Sequence, residues 1–263
     1  MPEFTTDDGA RIYFEMEGDA GGKPVLLFVH GWCSNLRHWD PQAEYFSRDY
    51  RVLRLDRRGY GRSPAPANYS FDFGREATDI AQLASSLGIS EAVVVGHAGG
   101  IPTAIGLAAV YPNLVRALVC EDGTPQEPDP RQKTMLAPIL QQLNGPDYQS
   151  GMKNVYPGFF HPNTDPKRVA AVASEAAETS PQVAVAFITS MPAIDTDTLA
   201  RTLRMPVLFV MAEQSLSSTT PEELQQTVKQ AQFVKIPDTG HFVHLDAPES
   251  FNLELERFLR TVA

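Results

Sequence analysis

The chain is poor in cysteine and in positive charge. It has two cysteines in 263 residues, Cys33 and Cys120. That number builds no disulfide framework and matches no zinc spacing, which makes a reducing, cytoplasmic setting the default expectation. Both thiols read as small buried apolar groups. Lys and Arg total 22 against 32 Asp and Glu, a formal net charge of −10. Nucleic acids and anionic membranes both reward a basic surface, so neither is an expected partner. No apolar run reaches the roughly 18 residues that a spanning helix needs, and Met1-Pro2-Glu3-Phe4 has no basic, apolar leader character. What remains is an ordinary globular composition, 43% hydrophobic and 21% charged. It fits one large α/β domain or a domain with an insertion, and it leaves a small molecule as the expected partner. The sequence is silent on oligomeric state.

Short apolar runs alternate with helical segments. Arg11–Met16, Pro24–Val29, Tyr50–Asp56, Ala92–Val95, Arg116–Cys120, Met205–Met211 and Gln232–Ile236 read as strands. Phe73–Leu87 carries Ala77, Ile80, Ala81, Ala84 and Leu87 on one helical face, and Gly88 stops it. Ile101–Val110, Pro221–Lys229 and Pro248–Val262 read as further helices. Strand and helix in alternation imply right-handed βαβ units and a mostly parallel sheet. From Thr124 to Leu203 the pattern changes: prolines punctuate short helical stretches such as Arg168–Glu178, and no strand of similar quality occurs. This predicts a core of residues 1–123 and 204–263 interrupted by a helical lid of residues 124–203.

A further absence concerns chemistry. Val93-Val94-Val95 runs into Gly96-His97-Ala98-Gly99-Gly100. The frame is G-x-S-x-G, the strained strand-to-helix turn that exposes a serine oxygen, with alanine at the serine position. Four loops, each following a strand or preceding the last helix, form a set: His30-Gly31-Trp32, Asp56-Arg57-Arg58-Gly59-Tyr60-Gly61-Arg62-Ser63, Gly96–Gly100, and Gly240-His241-Phe242. Their order and spacing resemble the α/β-hydrolase superfamily over nearly the whole chain. The resemblance implies an α/β-hydrolase fold with helices on both faces of a mostly parallel sheet and an inserted helical lid, and neither metal nor organic cofactor.

It also implies roles. His241, 143 residues beyond Ala98, takes the place of the general base, for which imidazole suits by its near-neutral pKa. His244 lies off the motif and reads as a packing or surface residue. The family's usual acid follows the strand Val207–Met211, but this chain reads Ala212-Glu213-Gln214-Ser215 there, without an aspartate in frame. A second location, after the strand that follows the elbow helix, offers Glu121 and Asp122. Consecutive strand residues point to opposite sides, so only one should face the histidine. Asp122 is favoured because Gly123 can turn the chain behind it; Glu121 is the alternative. The oxyanion hole falls by resemblance to the backbone amides of Trp32 and Gly99. Trp32, His38, Phe159 and Phe160, with Trp39 and His161 beside them, are candidates for the substrate wall. His97 reads as turn packing, Asp56 as a structural acid, and Arg57 or Arg58 as remote candidates for reaching the lid.

Ala98 admits three readings. In the first, alanine has replaced the nucleophile of an otherwise intact ester or lactone hydrolase, as a substrate-trapping change would do. In the second, the pair His241–Asp122 works alone as a base, as in the similar cofactor-independent 2,4-dioxygenases of 3-hydroxy-4-quinolones. In the third, the chain is a non-catalytic binder of small ligands.

Overall fold

A computed structural model describes residues 2–19, 21–217 and 219–262. In chain order its strands are β1 (Glu3–Thr5), β2 (Arg11–Glu17), β3 (Val25–Val29), β4 (Val52–Leu55), β5 (Ala92–His97), β6 (Val115–Glu121), β7 (Val207–Ala212) and β8 (Ala231–Ile236). The helices are α1 (Asp40–Phe46), α2 (Phe73–Ser86), α3 (Ile101–Val110), α4 (Gln132–Leu143), α5 (Tyr148–Val155), α6 (Pro166–Ala176), α7 (Pro181–Ser190), α8 (Asp197–Ala200), α9 (Pro221–Thr227), α10 (Val243–Asp246) and α11 (Pro248–Val262).

Every residue of β3, β4, β5 and β7 is buried. Strands without a wet side belong inside a parallel sheet covered on both faces. They sit in one sheet of order β1-β2-β4-β3-β5-β6-β7-β8. The pairs β1–β2 and β2–β4 are antiparallel and the rest are parallel. Period-2 alternation divides each apolar run between two cores. Leu27, Val29, Leu53, Leu55 and Val94 meet Ile80 and Leu83 of α2 and Ala104 and Ile105 of α3. Leu26, Phe28, Val52, Val93 and Val95 meet Phe46 of α1 and Phe251, Leu255 and Phe258 of α11.

Between β6 and β7 no described residue is in a strand; α4 to α8 fill the interval. Met152, Tyr156, Phe160, Val183 and Phe187 of this insertion form a third apolar cluster with Trp32, Cys33, Tyr60 and Phe242 from core loops. The helix expected at Arg168–Glu178 runs instead over Pro166–Ala176, because Asp165 caps the Lys167 N–H and Pro166 occupies the first helical position. No described helix is long and apolar enough to cross a membrane.

The elbow after β5 requires its glycines. A Cβ on Gly96 would lie 2.9 Å from the Ala104 Cβ, and one on Gly100 would lie 2.5 Å from the His30 carbonyl and 2.7 Å from that of Val29. Backbone oxygens held at the buried end of β3 cannot give way cheaply. Gly100→Ala should therefore destabilise the fold by about 1–3 kcal/mol in urea unfolding. Gly158→Ala, whose Cβ meets nothing within 4 Å, should stay within about 0.5 kcal/mol of the parent.

Candidate active site

Non-glycine residues rarely adopt positive φ. Among the described residues four do so: Cys33 (46°), Ala98 (46°), Asp122 (42°) and Asp238 (56°). They follow β3, β5, β6 and β8, at the carboxyl edge of the sheet, which is where open α/β sheets bind ligands. Strain of this kind costs of order 1–3 kcal/mol per residue and concentrates at functional sites. Ala98 thus holds the geometry of a nucleophile elbow, and it is half-buried rather than sealed off.

The end of β6 supplies two acids to one loop. Asp122 Oδ2 lies 2.6 Å from His241 Nδ1, and Asp122 Oδ1 accepts the Ala212 N–H at 3.0 Å. The acceptor fixes Nδ1 as the protonated nitrogen and leaves Nε2 as the basic one. The Asp122 side chain is wholly buried, whereas that of His241 keeps 14% of its surface. Glu121 points the other way. Its Oε1 accepts both the backbone N–H of His244 (2.9 Å) and its Nδ1–H (2.7 Å). His244 is fully buried and stacks on Trp39 with ring centroids 4.0 Å apart, so it is neither a surface group nor plain packing. Sequence reasoning treated Glu121 and Asp122 as competitors for one histidine; each has its own.

His97 does more than fill the turn. Its Nε2–H donates to the His241 carbonyl at 2.9 Å, which ties the residue before the elbow to the histidine loop. Burial lowers the pKa of both His97 and His244, keeping the rings neutral. His97, Glu121 and His244 bring ligand-type atoms within 4.8 Å of one another. Glu121 Oε1 is taken up by the two His244 N–H groups and His97 Nε2 by the His241 carbonyl, while Glu121 Oε2 and His244 Nε2 have no partner among the described residues.

The loop after β3 is built by the one after β4. Asp56 accepts the N–H groups of Leu36 (2.7 Å) and Arg62 (2.8 Å). The Arg57 backbone N–H donates to His30 Nε2 at 3.0 Å, and its guanidinium donates to the Gly31 carbonyl (2.8 Å) and to Glu76 (2.8 Å). Arg58 is paired internally with Asp79, at 2.6 and 2.7 Å. Neither arginine is free to meet the insertion or a substrate, which corrects that expectation: a buried guanidinium needs partners, and these are carboxylates of the core. The scaffold sets the amide of Trp32 against the elbow. A Cβ on Gly99 would lie 2.9 Å from Trp32 N, and no described group accepts the Trp32 N–H.

The expected wall residues divide. Phe159 lies 5.5 Å from the His241 ring and 6.5 Å from that of Trp32, and its carbonyl accepts the His241 N–H at 2.7 Å. Trp32 donates its indole N–H to the Ala184 carbonyl at 3.0 Å, while Tyr156 OH donates to the Trp32 carbonyl. His38 is 4% exposed, with Nε2 on Glu175 of α6 at 3.2 Å. Phe160 stacks flat on Phe242, 11° from coplanar. These last two pack at the join between core and insertion; His38 is buried there, while Phe160 also lines a surface pocket with His161, Val169 and Gln214.

Burial raises the Glu121 pKa from 4.5 to about 7. A carboxyl group raised in the folded state adds stability that is complete below its unfolded value and disappears as pH climbs through the folded one. The melting temperature of the parent relative to Glu121→Gln should therefore fall between about pH 5 and pH 8. A constant difference across that range would contradict the assignment.

Known proteins share this framework. Mouse (Mus musculus) epoxide hydrolase 4 is 37% identical over 114 residues, covering 43% of this chain and 32% of that protein; the chain spans about a third of that relative's length. The enol-lactonase of Burkholderia xenovorans LB400 superposes with a TM-score of 0.87 at 21% identity, covering 98% of this chain and all (100%) of that one, a likeness of fold. A thermophilic esterase from Thermogutta terrifontis superposes with a TM-score of 0.82 at 26% identity, covering 99% of this chain and 97% of the other. Residues 26–254 match the model of the alpha/beta hydrolase family, and the chain belongs to that family.

Proposed function

We propose that this is an ester- or lactone-hydrolase site arrested at its nucleophile. The observation that carries the reading is the elbow itself: Ala98 retains φ 46°, a conformation that serves to present a side-chain oxygen, beside an imidazole with its acid 2.6 Å away. A substrate carbonyl would lie between the Cβ of Ala98 and the amides of Trp32 and Gly99, with Phe159 and Trp32 as aromatic walls. With serine at 98, His241 Nε2 would take the hydroxyl proton as oxygen attacks the carbonyl carbon. The amides would hold the oxyanion, and the imidazolium would return the proton to the leaving alkoxide. Water would then repeat the sequence and release the acid. With alanine no acyl-enzyme forms. The site binds the ester, and His241 can only direct a water at it slowly. The likeness to an esterase and an enol-lactonase supports this substrate class.

A second reading rests on the dyad's completeness without a hydroxyl. His241 could abstract a proton from an acidic heteroaromatic substrate with no covalent step, as in cofactor-free cleavage of a 3-hydroxy-4-quinolone.

Ala98→Ser should raise hydrolysis across a panel of aryl esters and lactones by about 10³-fold or more, in line with the losses seen on deleting a serine nucleophile. Ala98→Ser combined with His241→Ala should abolish the gain. No gain with any member of the panel overturns the reading. Oxygen uptake by the parent chain with a 3-hydroxy-4-quinolone, lost in His241→Ala, would establish the second.

A further inference from the structure

The loop that carries His241 is fastened at both ends, to different parts of the molecule. Its first half belongs to the core. The Asp238 N–H donates to Glu213 Oε2 at 2.8 Å, Thr239 Oγ1 accepts the Glu213 N–H at 3.2 Å, and the Thr239 carbonyl accepts the Gln214 N–H at 3.1 Å. Its second half belongs to the insertion. The His241 N–H goes to the Phe159 carbonyl at 2.7 Å. The Gly240 N–H goes to Asp246 Oδ2 at 2.7 Å, and the same carboxylate accepts the His161 N–H at 3.3 Å and the Thr164 hydroxyl at 2.6 Å. Arg168 of α6 reaches the Leu245 carbonyl next door.

One side chain therefore clamps the residue before His241 to residues 161 and 164 of the insertion. The fit is close. A Cβ on Gly240 would stand 2.5 Å from the His161 nitrogen and 2.6 Å from the Phe160 carbonyl carbon. Asp246 sits in α10, five positions beyond His241, and does not touch the elbow through any hydrogen bond among the described residues. Its effect on chemistry passes through the loop backbone.

We propose that Asp246 is a positioning residue for His241, and that through it segment 159–164 forms part of the mounting of the imidazole, so that displacing the segment swings the ring off Asp122. The inference rests on the reading of His241 as the general base. It predicts that the insertion is not a freely hinged cover: near residues 159–164 it moves only with the base.

The test uses the Nδ1–H proton shared between His241 and Asp122, a downfield NMR resonance assigned by its loss in His241→Ala. It is recorded on the parent chain, so it requires no activity. Asp246→Ala should broaden or abolish this resonance. Asp246→Asn keeps one acceptor oxygen for the Gly240 N–H and should preserve it in part, and Thr164→Val should shift it. In the Ala98→Ser background Asp246→Ala should lower kcat by about 10²-fold, the scale of a misplaced catalytic group, with KM within about twofold. A merely structural role would lower the melting temperature and leave the resonance in place. A folded Asp246→Ala protein with an unchanged resonance overturns the proposal. If that variant does not fold, unchanged resonances in both Asp246→Asn and Thr164→Val do so. Inactivity of Ala98→Ser on every ester counts against the hydrolase reading alone, and the resonance still decides the mounting.

Discussion

Two neighbouring carboxylates leave the end of β6 in opposite directions, and each captures a histidine from the same short loop. Alternation along a strand makes consecutive side chains diverge, and the turn at the second acid decides where its carboxylate goes. Glu121 is the last strand residue; Asp122 turns through φ 42°, and that turn brings its carboxylate to the edge. The loop 238–246 must then satisfy both acids at once. Pulling His241 toward Asp122 and His244 toward Glu121 fixes the loop along its length as well as across it, and the bond from His97 to the His241 carbonyl adds a third point. An imidazole held in this way keeps its tautomer and direction without help from a substrate.

The two acids experience different media. Asp122 meets a partly exposed histidine and accepts a backbone N–H as well. Glu121 is wholly buried, and its second oxygen, Oε2, has no partner among the described residues. Desolvation dominates such a site and favours the neutral acid, while the same burial holds His244 and His97 neutral. The inner pair thus shapes the loop and carries less charge behind the outer one than an ordinary carboxylate would. A permanently ionised glutamate there would compete with Asp122 for the developing imidazolium.

Much of this architecture was legible in the sequence, and the exceptions have physical causes. Buried strands announce themselves because a fully covered strand must be apolar throughout; β3, β5 and β7 lie within a residue or two of their predicted limits. The edge strand β1, three residues long, has no such signature. The motif loops at 30, 56, 98 and 240 stand out because each needs a glycine or a charge that few alternatives can replace. The acid after β6 was readable as a choice between two, since sequence gives alternation but not the direction of the final turn. His244, Glu175 and Asp246 could not be read at all. Their roles lie in contacts across about 80 to 140 residues, and no local spacing encodes such a contact. His38 shows the same limit, because the Glu175 carboxylate that engages its ring lies 137 residues away in the chain.

Alanine at position 98 supplies no side-chain oxygen, and the turn does not depend on one. The hydrogen bonds and close approaches that hold the elbow run through other atoms: the amide of Ile101 to the Ala98 carbonyl, the tight passage of Gly100 under Val29 and His30, the ring of His97 against Gly31 and the His241 carbonyl. None needs a side chain beyond Cβ at 98. Positioning and reactivity are therefore separable in this site. The framework stores the strain, aims the imidazole and leaves a backbone donor unpaired beside the turn. On the reading proposed above, the group that would turn this arrangement to covalent catalysis is one on which none of these contacts depends, so alanine leaves the positioning intact.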